Sequence, residues 1–283
     1  MSEDNVTPAE LERDDVLEID DDRFTADNVA IVTGGASGIG RATAVVLAAN
    51  GLTTVATDVD EDGLEGTVAK GDELDVEGEI HAIPGDLTDD AEMAAVVDDA
   101  AELGDIRFLA NIAGMQHIDS IEDFPMETYD VMHKVMLRGP LYLSKLCLPH
   151  MREAGGGSIG NMASVHGHYV TRDKVAYNIM KFGIRGLTRS LAAEGDGDTR
   201  SFSVSTGYVK TPLVMNQIAD SAESRGITER EVVEDVMLGQ ARTKEMMEPV
   251  EVGNLFAFGF SENARHLNGN DLLWDGGYTH TYE

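Results

Sequence analysis

Tyr177 and Lys181 stand four residues apart in the segment YNIMK. On a helix that spacing puts a phenol and an ammonium on one face. A phenol ordinarily titrates near pH 10, which makes it a poor base at neutral pH. An ammonium about 4 Å away, at an effective dielectric of about 20, interacts by roughly 4 kcal/mol. That is enough to lower the phenol pKa by about 3 units. Such a pair can take a proton from an alcohol while a hydride leaves. Ser164 lies 13 residues upstream of Tyr177, just past a predicted strand end, where its hydroxyl can hold the substrate oxygen. A Tyr-x3-Lys spacing is common by chance, so its weight comes from its order along the chain behind a glycine loop.

That loop is TGGASGIG, residues 33–40, directly after the apolar run VAIVT and before a helical pattern. Gly34, Gly38 and Gly40 let the backbone turn tightly and approach a pyrophosphate. The helix that follows offers free N–H groups and partial positive charge. Asp58 ends the second predicted strand, 18 residues after Gly40. A carboxylate there accepts hydrogen bonds from ribose hydroxyls and repels a 2′-phosphate, which favours NAD over NADP. Asp86 ends the third strand in the same manner and is placed to contact the adenine.

The elements that must position these groups alternate strand and helix. Strands are predicted over 29–33, 53–57, 80–84, 106–110, 158–162, 201–205 and 271–274. Helical patterns cover 41–49, 89–102, 126–152, 175–194, 213–225, 228–240 and 249–260. This alternation predicts βαβ units and an α/β fold: a single doubly wound, parallel-sheet domain of Rossmann type over 23–283. The segment at about 212–245 reads as a helical insertion able to close over substrate as a lid. Residues 1–22 are acidic and read as a flexible or loosely docked extension.

The chain carries 52 Asp+Glu against 21 Lys+Arg, a formal net charge of −31. Nucleic acid and anionic membranes are repelled by such a surface. The acids interleave with patterned apolar segments over the whole chain, so the expectation is a folded protein with an acidic shell suited to molar salt. At 1 M the Debye length is about 3 Å and self-repulsion is screened. Cys147 is the one cysteine, so no intrachain disulfide and no cysteine metal cluster is expected. The eight histidines show no ligand spacing, and no metal site is expected. No apolar signal or spanning segment is visible, which makes a cytoplasmic protein the default.

TGGASGIG, Asp86-Leu87, NIAG (111–114), Ser164, YNIMK and DGG (275–277) together resemble the short-chain dehydrogenase/reductases, from about residue 24 to the C-terminus. The resemblance implies a homodimer or homotetramer, with Ser164 stabilising the alcohol or oxyanion, Tyr177 as acid/base, and Lys181 on the ribose. Beside the three glycines, Asp58 and Asp86, it extends the cofactor site to Ser37, Ile39, Leu87, Asn111, Gly114, Gly207, Val209 and Thr211. Within the family, IAGMQHIDSIEDFP, LPHM, ASVHG, YVKTPLVMNQI and DGGY look like 3-hydroxybutyrate dehydrogenases. That likeness implies a substrate carboxylate held by Gln116, His166, Lys174 and Gln217, with Tyr208 and Tyr278 as aromatic pocket residues. A small anionic hydroxy acid requires a cation and several donors, which this set supplies.

Three positions depart from the family pattern. Met136 stands where a relay asparagine is expected, and methionine has no donor and only a weak acceptor. Phe202 replaces a strand asparagine, and Thr206 replaces a proline in the loop before Gly207. Gly160 in mid-strand is also unfavourable. The expected activity is NAD-dependent oxidation of (R)-3-hydroxybutyrate to acetoacetate. The alternatives are another short-chain oxidoreductase, such as an acetoacetyl-thioester reductase, or a dinucleotide-binding oligomer with little turnover.

Overall fold

The computed structural model describes residues 7–281. β1 (Asn28–Thr33), β2 (Thr53–Thr57) and β5 (Gly157–Met162) are buried along their whole length. Strands covered on both faces need no polar alternation, so VAIVT reads as a continuous apolar run. With β3 (Ile80–Ala82), β4 (Asp105–Asn111), β6 (Thr199–Thr206) and β7 (Asp271–Trp274) they form one parallel sheet in the order β3-β2-β1-β4-β5-β6-β7. The winding reverses between β1 and β4, which opens a crevice beyond the carboxyl ends of the strands.

Helices cover both faces. α1 (Gly38–Ala49) and α9 (Pro249–Phe260) pack together over one face, around Leu47, Phe108, Phe256 and Phe260. α3 (Asp90–Leu103), α5 (Gly139–Glu153) and α6 (Val175–Glu194) cover the other, around Val97, Leu109, Leu143 and Ile159. α2 (Glu61–Glu73), between β2 and β3, was not evident as a helical pattern. Gly63, Gly66 and Gly71 dilute its propensity. Two of these glycines are nonetheless required: a Cβ would lie 2.6 Å from the N-capping Asp60 carboxylate at Gly63 and 2.7 Å from Ile80 at Gly71.

Gly160 and Phe202 turn out to be one feature. They are register neighbours on β5 and β6, and a Cβ at Gly160 would come within 2.8 Å of the Phe202 ring and 2.9 Å of Phe256. The missing side chain makes room for a cluster of Phe202, Phe256 and Phe260. The strand glycine is thus offset by aromatic burial.

The single long helix expected over 126–152 is α4 (Met126–His133), a π-helical turn (Lys134–Arg138) and then α5. Residues 7–22 do not stand off. Val16 enters the core and Leu11 and Ile19 pack against it. Leu17 N donates to Asn254 Oδ1 at 2.9 Å, Asn254 Nδ2 to Asp15 O at 2.8 Å, and Ile19 N to Asn50 Oδ1 at 2.7 Å. These bonds fasten the segment to α1 and α9, an anchorage that acidic composition alone hides. Beyond β6, α7 (Pro212–Arg225), the turn α8 (Glu229–Glu231) and a π-helical turn (Val232–Met237) build a small core of Ile218, Val232, Val233, Met237 and Met246. Among the described residues no helix is long and apolar enough to cross a membrane.

Candidate active site

A cleft of about 370 Å³ lies over the carboxyl ends of the strands. Its floor begins at the glycine loop, where α1 starts at Gly38. Gly34 and Gly38 take φ of +70° and +50°, the left-handed region that suits glycine. Gly34 also abuts the 111–114 segment, where a Cβ would sit 2.9 Å from Ala113 Cα. A Cβ at Gly40 would run into the Gly34 carbonyl, so the third glycine closes the loop on itself. Ser37 is the N-cap of α1 yet makes no side-chain capping bond. The first N–H groups of the helix therefore have no side-chain acceptor, an arrangement that fits a phosphate.

Asp58 lines the cleft and is held from the side, with Ala36 N donating to its Oδ2 at 3.4 Å and Asp60 N to its Oδ1 at 3.2 Å. Asp86 also lines it, although its carboxylate is engaged locally by Thr88 N at 2.7 Å and Thr88 Oγ1 at 2.9 Å. Ser37, Ile39, Leu87, Gly114, Gly207, Val209 and Thr211 face the same space. Asn111 is the exception. It lies beneath the floor, its Nδ2 donating to Asn161 Oδ1 at 2.9 Å in a buried ladder that continues to Thr188 and Ser201.

Ser164, Tyr177 and Lys181 converge on the cleft from β5's end and from α6. The Ser164 hydroxyl stands near enough to that of Tyr177 to favour its ionised form. Lys181 is 5 % exposed, and its Nζ donates to Met162 O at 2.7 Å and sits 5.4 Å from the Tyr177 ring centroid. The electrostatics differ from the simple ion-pair expectation. Burial pushes the Tyr177 hydroxyl up, only partly countered by Ser164. Burial also pulls Lys181 down to about 7. Desolvation outweighs the cation–phenolate attraction because Lys181 is buried and Tyr177 half-buried.

None of the four residues assigned to a substrate carboxylate is among those lining the cleft, and two of them meet directly. Gln217 Nε2 on α7 donates to Gln116 Oε1 at 3.3 Å, joining the helical insertion to the loop after β4. Lys174 acts on His166 through its charge. The His166 ring lies 5.6 Å from Tyr177, edge to face, and its Nδ1 is 3.4 Å from Ser164 Oγ. Burial first, then the charges of Lys174 and Lys181, holds the imidazole down to about 4. It is therefore neutral near pH 7. Lys174 is pulled down by burial and makes no ion pair among the described residues.

A family profile described as enoyl-(acyl carrier protein) reductase matches residues 34–279. The chain belongs to the short-chain dehydrogenase/reductase family. It is 35 % identical over 260 residues to a D-beta-hydroxybutyrate dehydrogenase of Rhizobium meliloti (strain 1021), covering 88 % of this chain and 98 % of that one. It superposes on the crystal structure of levodione reductase with a TM-score of 0.85, at 32 % identity, covering 91 % of this chain and 100 % of the other. L-sorbose reductase from Gluconobacter frateurii, solved with NADPH and L-sorbose, gives a TM-score of 0.85 at 25 % identity, with 92 % and 100 % covered. The chain is thus an oxidoreductase of a family that binds nicotinamide dinucleotides.

Against that family pattern the departures acquire positions. Met136 sits in the π-helical turn, 4 % exposed, and lines the cleft among Phe124, Met132 and Met180. It offers Lys181 no oxygen, and the ammonium turns to the Met162 carbonyl instead. Thr206 needs no proline to hold the next residue, since Gly207 N donates to Trp274 O on β7 at 3.3 Å.

Two groups escaped the sequence reading. Thr33 Oγ1 accepts from Ile112 N at 2.9 Å and Ala113 N at 3.1 Å, pinning the 111–114 segment to β1. Tyr169 stacks on Tyr278 at 5.7 Å and lies 5.3 Å from the His166 ring, completing an aromatic wall beside Tyr177. Burial, with Tyr278 and Tyr177 nearby, pushes Tyr208 up to about 12. The position of Thr33 inside TGGASGIG was a usable signal. Tyr169 had none, because its partner lies 109 residues away.

Proposed function

We propose that the chain is an NAD-dependent dehydrogenase interconverting (R)-3-hydroxybutyrate and acetoacetate. The observation that carries the reading is Lys174. In a chain with 52 Asp+Glu, this half-buried ammonium has no carboxylate partner among the described residues, and its charge acts on His166, whose ring stands edge to face with Tyr177. An unpaired cation at such a site is completed by an anionic substrate. The likeness to the Rhizobium meliloti enzyme supports the same reading.

NAD rather than NADP is supported by charge. Among the described residues Lys181 is the one lysine or arginine lining the cleft, whereas Asp58 and Asp86 both face it. Arg41, near the loop, spends its guanidinium on Ala36 O, Gly63 O and Thr67 Oγ1. A 2′-phosphate would meet a carboxylate and no free cation there.

The nicotinamide supplies the hydride acceptor or donor when bound. Lys174, His166, Gln116 and Gln217 hold the substrate carboxylate. The Ser164 and Tyr177 hydroxyls then grip the C3 oxygen, and Tyr177 removes its proton on oxidation and returns it on reduction. Because burial favours the protonated phenol, reduction starts with the acid in place and oxidation accelerates as pH rises. Lys181, braced by Met162 O, holds the nicotinamide ribose. The insertion at about 212–245 closes over the substrate through the Gln217–Gln116 contact. The acidic shell suits molar salt, and the assembly is a homodimer or homotetramer.

Incubation with (R)-3-hydroxybutyrate in high salt should produce NADH absorbance with NAD and far less reduced cofactor with NADP. Tight NADH binding without turnover would sink this reading and favour a binding protein, for which Met136 is the specific observation. In that case Met136→Asn should raise the rate sharply.

A further inference from the structure

Behind the turn that carries Ser164 and His166, a separate cavity of about 230 Å³ opens between α6 and β7. Its walls bring together Arg185 and Arg189, one turn apart on α6, with His168, His280, Ser203 and one carboxylate, Asp271. None of these residues lines the dinucleotide cleft.

Asp271 does not answer the arginines. Its Oδ1 accepts from Ser203 Oγ at 2.5 Å and Ser205 Oγ at 2.9 Å, and its Oδ2 lies 2.8 Å from His168 Nε2. Arg189 makes no ion pair or hydrogen bond among the described residues, and Arg185 donates only to the Gly167 carbonyl. The chain has 21 Lys+Arg against 52 Asp+Glu. Two neighbouring arginines without an acid are therefore unexpected, since abundant acids would normally pair with them.

We propose that this cavity binds a small oxyanion of the phosphate or sulfate type. The planar guanidinium fork matches two oxygens of such an anion at once. The imidazole of His280, whose ring lies 6.1 Å from that of His168, adds a donor from another side. The volume holds one anion and several waters, at about 30 Å³ of liquid volume per water. Repulsion by the net charge is screened beyond about 8 Å at physiological ionic strength, so local donors decide binding. The site also has a mechanical connection. A Cβ at Gly167 would lie 2.8 Å from Arg185 Cδ, so Arg185 packs directly on the turn that follows Ser164. An anion held by Arg185 braces that turn from behind.

The test titrates inorganic phosphate into the full chain at constant ionic strength, with chloride as the exchanged ion, and follows Tm. Wild type should show a rise that grows with the logarithm of phosphate concentration above Kd, reaching roughly 5 °C at a hundredfold excess. Arg189→Ala, an exposed position outside the candidate active site, should abolish it. Crystals soaked in selenate should show an anomalous peak between Arg185 and Arg189. A rise that persists unchanged in Arg189→Ala would place phosphate elsewhere, at the glycine loop above all, and would overturn the proposal. So would no rise beyond that given by chloride.

Discussion

The two ends of the cleft are built differently. At the glycine loop the work is done by backbone. Gly34, Gly38 and Gly40 hold their places because a Cβ would strike Ala113, Thr211 or the Gly34 carbonyl, and the contacts to Thr33 and Ala36 involve main-chain N–H groups. Beyond the other end, Gln217 meets Gln116, and His166, Tyr169 and Tyr278 stack in series, all through side chains from separate segments, with the charge of Lys174 acting on His166. A backbone site tolerates little added bulk and reads the shape of a dinucleotide, with Asp58 left to read the ribose. A side-chain site can be rewritten one residue at a time, and the proposed choice of substrate rests on it. Ser164, Tyr177 and Lys181 stand on the seam.

Substitutions should separate these regions. The largest effect belongs to the seam: Tyr177→Phe should lower kcat by about 10²- to 10⁴-fold. NADH affinity, followed by fluorescence titration, should remain near wild type. Next comes the loop. Gly40→Ala should cost about 3 kcal/mol of stability by overpacking, read as a lower denaturation midpoint, and should weaken NADH binding as well. Lys174→Ala should raise KM for the hydroxy acid by about 10- to 100-fold, the range for a lost charged hydrogen bond. Its cofactor affinity should not move, and a change there would erase the division between the two ends.

A further effect is a slope with pH. The Lys181 pKa is about 7 in the folded chain against 10.5 as the ordinary value. Between those limits the unfolded chain holds a proton that the folded chain lacks, so stability rises with pH across that window. Below about pH 7 the burial cost is present in full. Lys181→Met should therefore exceed wild type in stability at pH 6, with the gap closing by about 1.4 kcal/mol per pH unit above pH 7. Urea melts without cofactor measure it.

The same contrast explains what the sequence disclosed. The sheet and its helices were legible because buried parallel strands read as apolar runs and because glycine loops have fixed spacing. α2 was hidden by its glycines, which packing requires, and the anchorage of residues 7–22 by acids that solvate one side of a docked segment. The π-helical turn at Met136 was invisible, since one extra residue per turn leaves no mark on the apolar pattern. In the site, Tyr177, Lys181 and Ser164 were legible through spacing, but their electrostatics were not. An ion-pair argument needs exposure, and only the structure shows Lys181 sealed against Met162 O. Gly160 looked like a defect until Phe202 stood beside it.

The central claim is that Lys174 and its neighbours read a carboxylate while Tyr177 handles the proton. The most direct measurement compares (R)-3-hydroxybutyrate with its methyl ester as substrates, by NADH absorbance, in wild type and Lys174→Ala. The expected result is a wild-type kcat/KM at least 10-fold higher for the acid, with the preference collapsing in the variant. Equal use of acid and ester by wild type would contradict it.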